Sequence, residues 1–489
     1  MSDPNLVYID DDLVKAKKSA TSTVVLAFGD PIEILGTVGN EVEIRVHDRG
    51  RRTFKATISK KVKTRAEPIL HFSMIDVQQG DGMIVQTPKG RKLFIDGGDN
   101  KLFARFCAAR YPGTTADNPL EVDAMVITHG DADHYDGLRV MMDSEKETGH
   151  RARKRIFLYP RRVFHNGLVK GPSKKNGKRV KDDKMFGPSK EVGNRTFATG
   201  LVTDVRRVSD ARMNTPFRRW VRALRHWNAH GPMQVRRLAF GDDDAFDFLA
   251  DENIRVEVHG PLTQRKRVGS KMKDVLEILR KPKKTVEMHL AEDAAVTGSL
   301  SASHTINGHS VVLRLVYGNV RFYLTGDLNQ QAMDGLQKAI ENRPDYGLQS
   351  EIVKAPHHGS ADFDFASLKA MAPVVSLISS GDESSRKEHI HPRATLVSAL
   401  GKVSRGDTGI VLCTELAAFF EMRGYAETLD DKKRRFFGFE RKTFGMIQVR
   451  TDGERVLVFT HSAKENLKEA YRFRVDTLHR IRFEEVVKR

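Results

Sequence analysis

Residues 128–137 read THGDADHYDG and place His129, Asp131, Asp133 and His134 within six positions. Residues 122–127 before them, VDAMVI, are mostly apolar and read as a buried strand. Residues 137–142 after them, GLRVMM, read as a short helix. Two imidazoles and two carboxylates are therefore expected on the loop leaving the C-terminal end of a strand, where sites form in α/β sheets. Buried together without a cation, four such side chains repel one another or go unsatisfied. One or two divalent ions turn them into a ligand set. For any one of them a solvated polar loop is the plain alternative; the partners downstream weigh against it for the group.

Those partners stand on loops that follow further β-type runs. Residues 310–316 and 320–324 form an expected hairpin around Tyr317-Gly318-Asn319, with His309 before it and Asp327 after it. Residues 351–354 lead to His357 and His358, and residues 374–379 lead through a polar loop to His391. Asp81 and Asp96 each precede a glycine, which is a turn signal by itself. Lys354 and Ser360 flank the histidine pair and are candidates to touch an anion, although each type is more often a surface residue.

The chain has 489 residues, enough for a large core and more than one domain. Its net charge of +18 favours a polyanionic partner, nucleic acid first. Residues 151–240 hold 24 Lys and Arg against five acids, which concentrates that charge in one stretch. Within it, residues 171–179, GPSKKNGKR, read as a mobile loop, and Lys174, Lys175, Lys178 and Arg179 are candidate phosphate contacts. Residues 216–227 read as a helix with Thr215 as N-cap. Phe217, Trp220, Val221 and Leu224 share one face of it, which fits either core packing or a nucleic-acid-facing helix ringed by arginines. Two cysteines, Cys107 and Cys413, point to a reducing compartment rather than a disulfide framework, and no stretch is apolar enough to span a membrane; a cytoplasmic protein is expected.

The expected organisation is a flexible terminus at 1–18, a small SH3-like β-barrel at 19–60, a hydrolase domain at 68–463 with a basic insertion at 151–250, and a C-terminal extension at 464–489. A second, helix-like and basic interruption is expected at 416–440.

The order HxDxDH, a later His, Thr-Gly-Asp and a final His resembles the metallo-β-lactamase superfamily. Within it, residues 75–82, IDVQQGDG, are similar to the LDVGQGDA signature of the ComEC competence-protein branch, as are residues 93–98, 310–315, 324–327 and 357–360. Gln78 and Gly82 depart from that signature, no membrane channel is present, and the N-terminal barrel is extra. The resemblance implies an α/β chain with a four-layer αββα fold and a metal-dependent hydrolase of nuclease type. It implies two divalent ions, one held by His129, Asp131 and His309, the other by Asp133, His134 and His391, with Asp327 bridging. His304 is the rival for the role of His309. Asp131 stands where many members carry His, and the added carboxylate lets Mn²⁺ or Mg²⁺ compete with Zn²⁺. Asp96 and Asp81 are expected to orient ligands. His357 or His358 would protonate the leaving oxygen or join the ions, and because adjacent loop residues seldom aim at one point, one of the pair is expected to be structural. The expected substrate is DNA or RNA, with the barrel available to a protein partner. A hydrolase of a small ester, lactone or nucleotide, using its basic surface to dock a partner, is the alternative.

Overall fold

The computed structural model describes residues 6–47, 53–282, 298–381, 391–406, 408–416, 442–443, 445–461 and 469–489. The interruption expected at 416–440 lies outside the described residues, apart from Leu416, and so do residues 48–51, whose sequence DRGR reads as a hairpin-type turn. The chain is mixed α/β, and it folds around three larger groups of strands.

The N-terminal group contains four strands within the span of the expected barrel, Thr23–Ala27, Pro31–Val38, Glu41–His47 and Thr53–Ser59. Leu6–Ile9, Leu13–Lys17 and Thr64–Arg65 join them in one seven-stranded antiparallel sheet. The expectation of a loose terminus through residue 18 is thus corrected from residue 6 onward. Its cause is remote in sequence: Asp10 and Asp12 read as a solvated acidic run, but they pair with Arg455 at 2.6 Å and Arg472 at 3.0 Å. Ile9, Val14, Leu26, Ile32, Ile44 and Ile58 form a separate core, so strands from both ends of the sheet bury one another. A second patch, Leu13, Phe28, Ile69, Leu457 and Phe459, seats this unit on the rest of the chain. Buried Arg450 locks the seat by donating to the Phe28 carbonyl at 2.6 Å and to Asp30 at 3.1 Å.

A ten-stranded sheet runs Gln234–Arg237, Arg162–His165, Ala124–Val126, Lys92–Ile95, Met83–Gln86, Leu70–Met74, Met446–Thr451, Arg455–His461, Ala470–Val475, Ile481–Glu484. Its first four strands are parallel. Two expectations are corrected here. The stretch 151–250 is not wholly an insertion, because its strands Arg162–His165 and Gln234–Arg237 extend the parallel edge. The segment from 470 is not an appendage, because Phe473 and Val475 are buried in the sheet's core. A six-stranded sheet runs Ile254–Gly260, Val312–Tyr317, Val320–Leu324, Ile352–Lys354, Val375–Ile378, Ile410–Cys413, parallel from its third strand on.

Seven α-helices complete the described chain: α1 (Leu102–Arg110), α2 (Ala132–Ser144), α3 (Thr215–Trp227), α4 (Ala302–Gly308), α5 (Gln330–Glu341), α6 (Phe365–Met371) and α7 (Ala394–Val403). Three cores order these pieces. One joins the two large sheets through residues such as Phe72, Val126, Leu313 and Phe322. The second packs α1, α2 and α3 on the ten-stranded sheet, and the third packs α5, α6 and α7 on the six-stranded sheet. In α3 the residues Phe217, Trp220, Val221 and Leu224 are all buried, so its apolar face is core and does not meet nucleic acid. Its N-cap is Asn214, whose side chain accepts from the Phe217 N–H at 2.9 Å, rather than Thr215.

Residues 171–179 are not a loop throughout. Lys174–Lys175 pairs with Lys178–Arg179 as a short antiparallel hairpin around Asn176-Gly177, both at positive φ. Asn-Gly is the dipeptide such a turn demands. All four basic residues are exposed. Among the described residues no helix is long and apolar enough to cross a membrane.

A candidate metal centre

The parallel strand Ala124–Val126 ends at Thr128-His129, and α2 begins at Ala132 with Asp131 as N-cap. His129 and Asp131 therefore sit on the loop expected from the sequence; Asp133 and His134 lie in the first helical turn. Two glycines let that turn sit close to neighbouring loops. A Cβ on Gly137 would lie 1.9 Å from the Gly97 carbonyl oxygen, and one on Gly80 would lie 1.8 Å from that of Asp133. The Asp-Gly turns at 81–82 and 96–98 thus abut the helix start.

From the facing sheet, the strand Val320–Leu324 delivers Asp327, whose N–H donates to Ser310 Oγ at 3.0 Å. The strand Ile352–Lys354 delivers the histidine pair. His357 and His358 have φ of 44° and 51°, a left-handed pair of non-glycine residues. Such a backbone costs about 1–3 kcal/mol per residue and persists where its surroundings enforce it. It overturns the expectation that one of the two points elsewhere: His357 Nε2 and His358 Nε2 lie 3.8 and 3.2 Å from the same oxygen, Asp327 Oδ2.

Around Asp327 Oδ2 the donors close into a cage. His134 Nε2 is 3.4 Å from it, His358 Nε2 is 3.5 Å from Asp133 Oδ2, and His134 Nε2 is 4.0 Å from the same Asp133 oxygen. A four-coordinate ion with bonds of about 2.0–2.2 Å sets its donors about 3.3–3.6 Å apart, so the cage has the size of one ion. His129 Nε2 lies 3.9 Å from Asp327 on its flank. The Nε2 atoms of His129, His134 and His358 are buried and make no hydrogen bond among the described residues. Orphaned buried nitrogens beside carboxylates are what a cation would satisfy, and the donor set fits one.

Each caged imidazole has a carboxylate behind it. Asp96 Oδ2 lies 2.8 Å from His134 Nδ1 and also accepts from Thr128 Oγ1 at 2.6 Å. Asp81 Oδ1 stands 3.3 Å from His358 Nδ1, while Lys354 Nζ pairs with Asp81 at 2.5 Å and donates to the Gly326 carbonyl at 2.7 Å. Carboxylates so placed fix the tautomer and turn the Nε2 lone pair inward. Burial opposes charge on His134 and His358, but Asp327 with Asp96, Asp133 and Asp81 outweighs it and holds both well above the ordinary imidazole range. Burial pushes His129 well below that range.

Besides His129 on its flank, three expected ligands fall outside the cage. Asp131 is taken by Lys170, whose ammonium donates to its carboxylate. His309, the C-cap of α4, turns Nε2 to the Glu277 carbonyl at 2.7 Å, because a buried imidazole needs a partner and the end of the strand Lys271–Glu277 supplies one. His391 lines the same pocket, with its ring centre 5.9 Å from that of His357. His304 also lines the pocket and lies 3.4 Å from Asp362. Lys354 is fully buried, so it faces Asp81 rather than a substrate. The cage opens into a pocket of about 760 Å³ whose walls include Lys281, Asn307, Ser360 and Arg393. Lys170, Asn307 and Ser310 were missed in the sequence. Ser310 and Asn307 touch the imidazoles of His129 and His357 at 3.3 Å each; Asn307 lies in α4 and Ser310 just before the strand Val312–Tyr317. No family model matches the chain, and no curated protein matches it.

Proposed function

We propose that this chain is a metal-dependent hydrolase of the metallo-β-lactamase type, with the four-layer αββα arrangement, that cleaves phosphodiester bonds in DNA or RNA. The observation that carries the reading is the cage of Asp133 with buried His134, Asp327 and His358, its imidazoles backed by carboxylates and its open side in a pocket whose walls carry Lys281 and Arg393. These four residues would hold a divalent cation, Zn²⁺ or Mn²⁺, which supplies charge on a phosphoryl oxygen and lowers the pKa of a water.

The rest of the chemistry belongs to the protein. Asp96 and Asp81 keep His134 and His358 in one orientation. Lys354 offsets the charge of Asp81 and Asp327, which would otherwise stand unbalanced in the buried interior. His357 is the part-exposed member of the pair, with Asn307 at its Nε2, and it is the group placed to hand a proton to the leaving oxygen. The hairpin bearing Lys174, Lys175, Lys178 and Arg179 gives nucleic acid an exposed cationic contact, and the N-terminal sheet, read as an SH3-like barrel, offers a face to a protein partner in the cytoplasm.

The reading is tested by a matrix of metals against substrates on chelator-treated protein, with single-stranded DNA, double-stranded DNA and RNA. Cleavage of at least one polymer on adding Mn²⁺ or Zn²⁺ is the expected result. No cleavage of any polymer, with turnover of small esters or lactones instead, contradicts it.

A further inference from the structure

The two-ion arrangement that the sequence suggests needs a second set of donors, and those residues are engaged elsewhere. Asp131 lines the pocket and Lys170 pairs with it, both about three-quarters buried. His309 faces the Glu277 carbonyl. Among the described residues, every three-donor group at the pocket draws on His134, Asp327 or His358, so no independent second set exists there. Lys170 is not a casual visitor. Its carbonyl accepts from the Asn214 N–H at 2.8 Å, just before α3, so its backbone is anchored to a helix start. An ammonium carries three donors, and Asp131 occupies one.

We propose that Lys170 stands in for the second divalent ion, so that the centre holds a single metal ion and the Lys170 ammonium binds a phosphoryl oxygen of the substrate. The proposal rests on the phosphodiesterase reading and names how that site takes its anion. Asp131 serves as the positioning residue that aims the ammonium, not as a ligand. A fixed cationic donor of this kind stabilises charge where it develops without needing a hydration shell to reorganise.

The test has two readouts that do not depend on turnover. Elemental analysis after saturation with Mn²⁺ and desalting is expected to give one ion per chain in the wild type and in Asp131→Asn. Two ions in the wild type, or loss of the ion in Asp131→Asn, overturns the proposal. Calorimetric titration with inorganic phosphate is expected to show affinity falling at least about tenfold in Lys170→Met, as for loss of a charge-assisted hydrogen bond, and returning towards wild type in Lys170→Arg. Unchanged phosphate affinity in Lys170→Met overturns it. Should Lys170→Met fail to fold, the ion counts and Lys170→Arg decide the matter. One ion and Lys170-dependent phosphate binding, without cleavage of any nucleic acid, refute the enzyme reading and leave this assignment standing.

Discussion

The strand Ile352–Lys354 has a charged residue at each end, and the two ends are opposites. At its start, buried Glu351 accepts from Arg321 at 2.6 and 3.0 Å and from the Arg321 N–H at 2.8 Å, and Arg405 adds another pair. An arginine meets each oxygen of the Glu351 carboxylate. At its end, Lys354 leads to His357 and His358, where the backbone is left-handed, like-charged carboxylates crowd together, and imidazole nitrogens lack hydrogen bonds. Both ends are buried and polar. At the first the Glu351 carboxylate has its partners and reads as structure; at the second, imidazole nitrogens stand without hydrogen bonds among the described residues and read as a candidate site. Completeness of partners, not burial or charge, separates the two.

The largest effect that can sharpen this contrast is at the incomplete end. Asp133→Ala and Asp327→Ala should each lower phosphodiester hydrolysis by about a thousandfold or more, with unfolding midpoints close to wild type. Wild-type turnover in either variant breaks the assignment, and gross unfolding would make the ion structural. At the complete end the expected effect is on stability instead. Glu351→Gln should cost about 3–5 kcal/mol, because buried Arg321 and part-buried Arg405 lose their counter-charge, while metal content per folded chain stays unchanged. Burial raises the Glu351 pKa, but Arg321 and Arg405 outweigh it and leave it below the usual carboxylate range. The stability it confers is therefore present above the unfolded pKa of about 4.3 and lost as pH falls through the lower folded value. Denaturant midpoints measured down the acid range should show that loss in the wild type and less of it in Glu351→Gln.

A smaller effect is expected between the ends. Asp96→Asn should weaken metal affinity or activity about 10- to 100-fold and leave folding largely intact; no change would mean that His134 is aimed by packing alone. The smallest concerns the surface. Neutralising Lys174, Lys175, Lys178 and Arg179 should flatten the dependence of nucleic-acid affinity on salt by about 0.7–0.9 per lost phosphate contact. An unchanged slope would mark the hairpin as merely solvated.

The local parts of this arrangement were legible in the sequence. The apolar run before His129, the hairpin before Asp327 and the Asp-Gly turns at Asp81 and Asp96 all announce themselves through short-range chemistry. What escaped depends on contacts far along the chain. Asp131 looks like a ligand until Lys170, 39 positions on, occupies it. His309 looks like another until the Glu277 carbonyl turns its ring. Asp10 and Asp12 read as a solvated run because Arg455 and Arg472 are more than 400 positions away. Adjacent histidines were expected to diverge, which holds for ordinary backbone but not for two consecutive residues at positive φ.

The most direct test of the contrast is a Mn²⁺ titration of chelator-stripped protein, comparing the wild type with Asp327→Ala and Glu351→Gln. A saturable site in the wild type and in folded Glu351→Gln, absent from folded Asp327→Ala, is the predicted result. Equal binding in all three, or no saturable binding in the wild type, would contradict the account, because the unpartnered end of the strand would then be no metal centre.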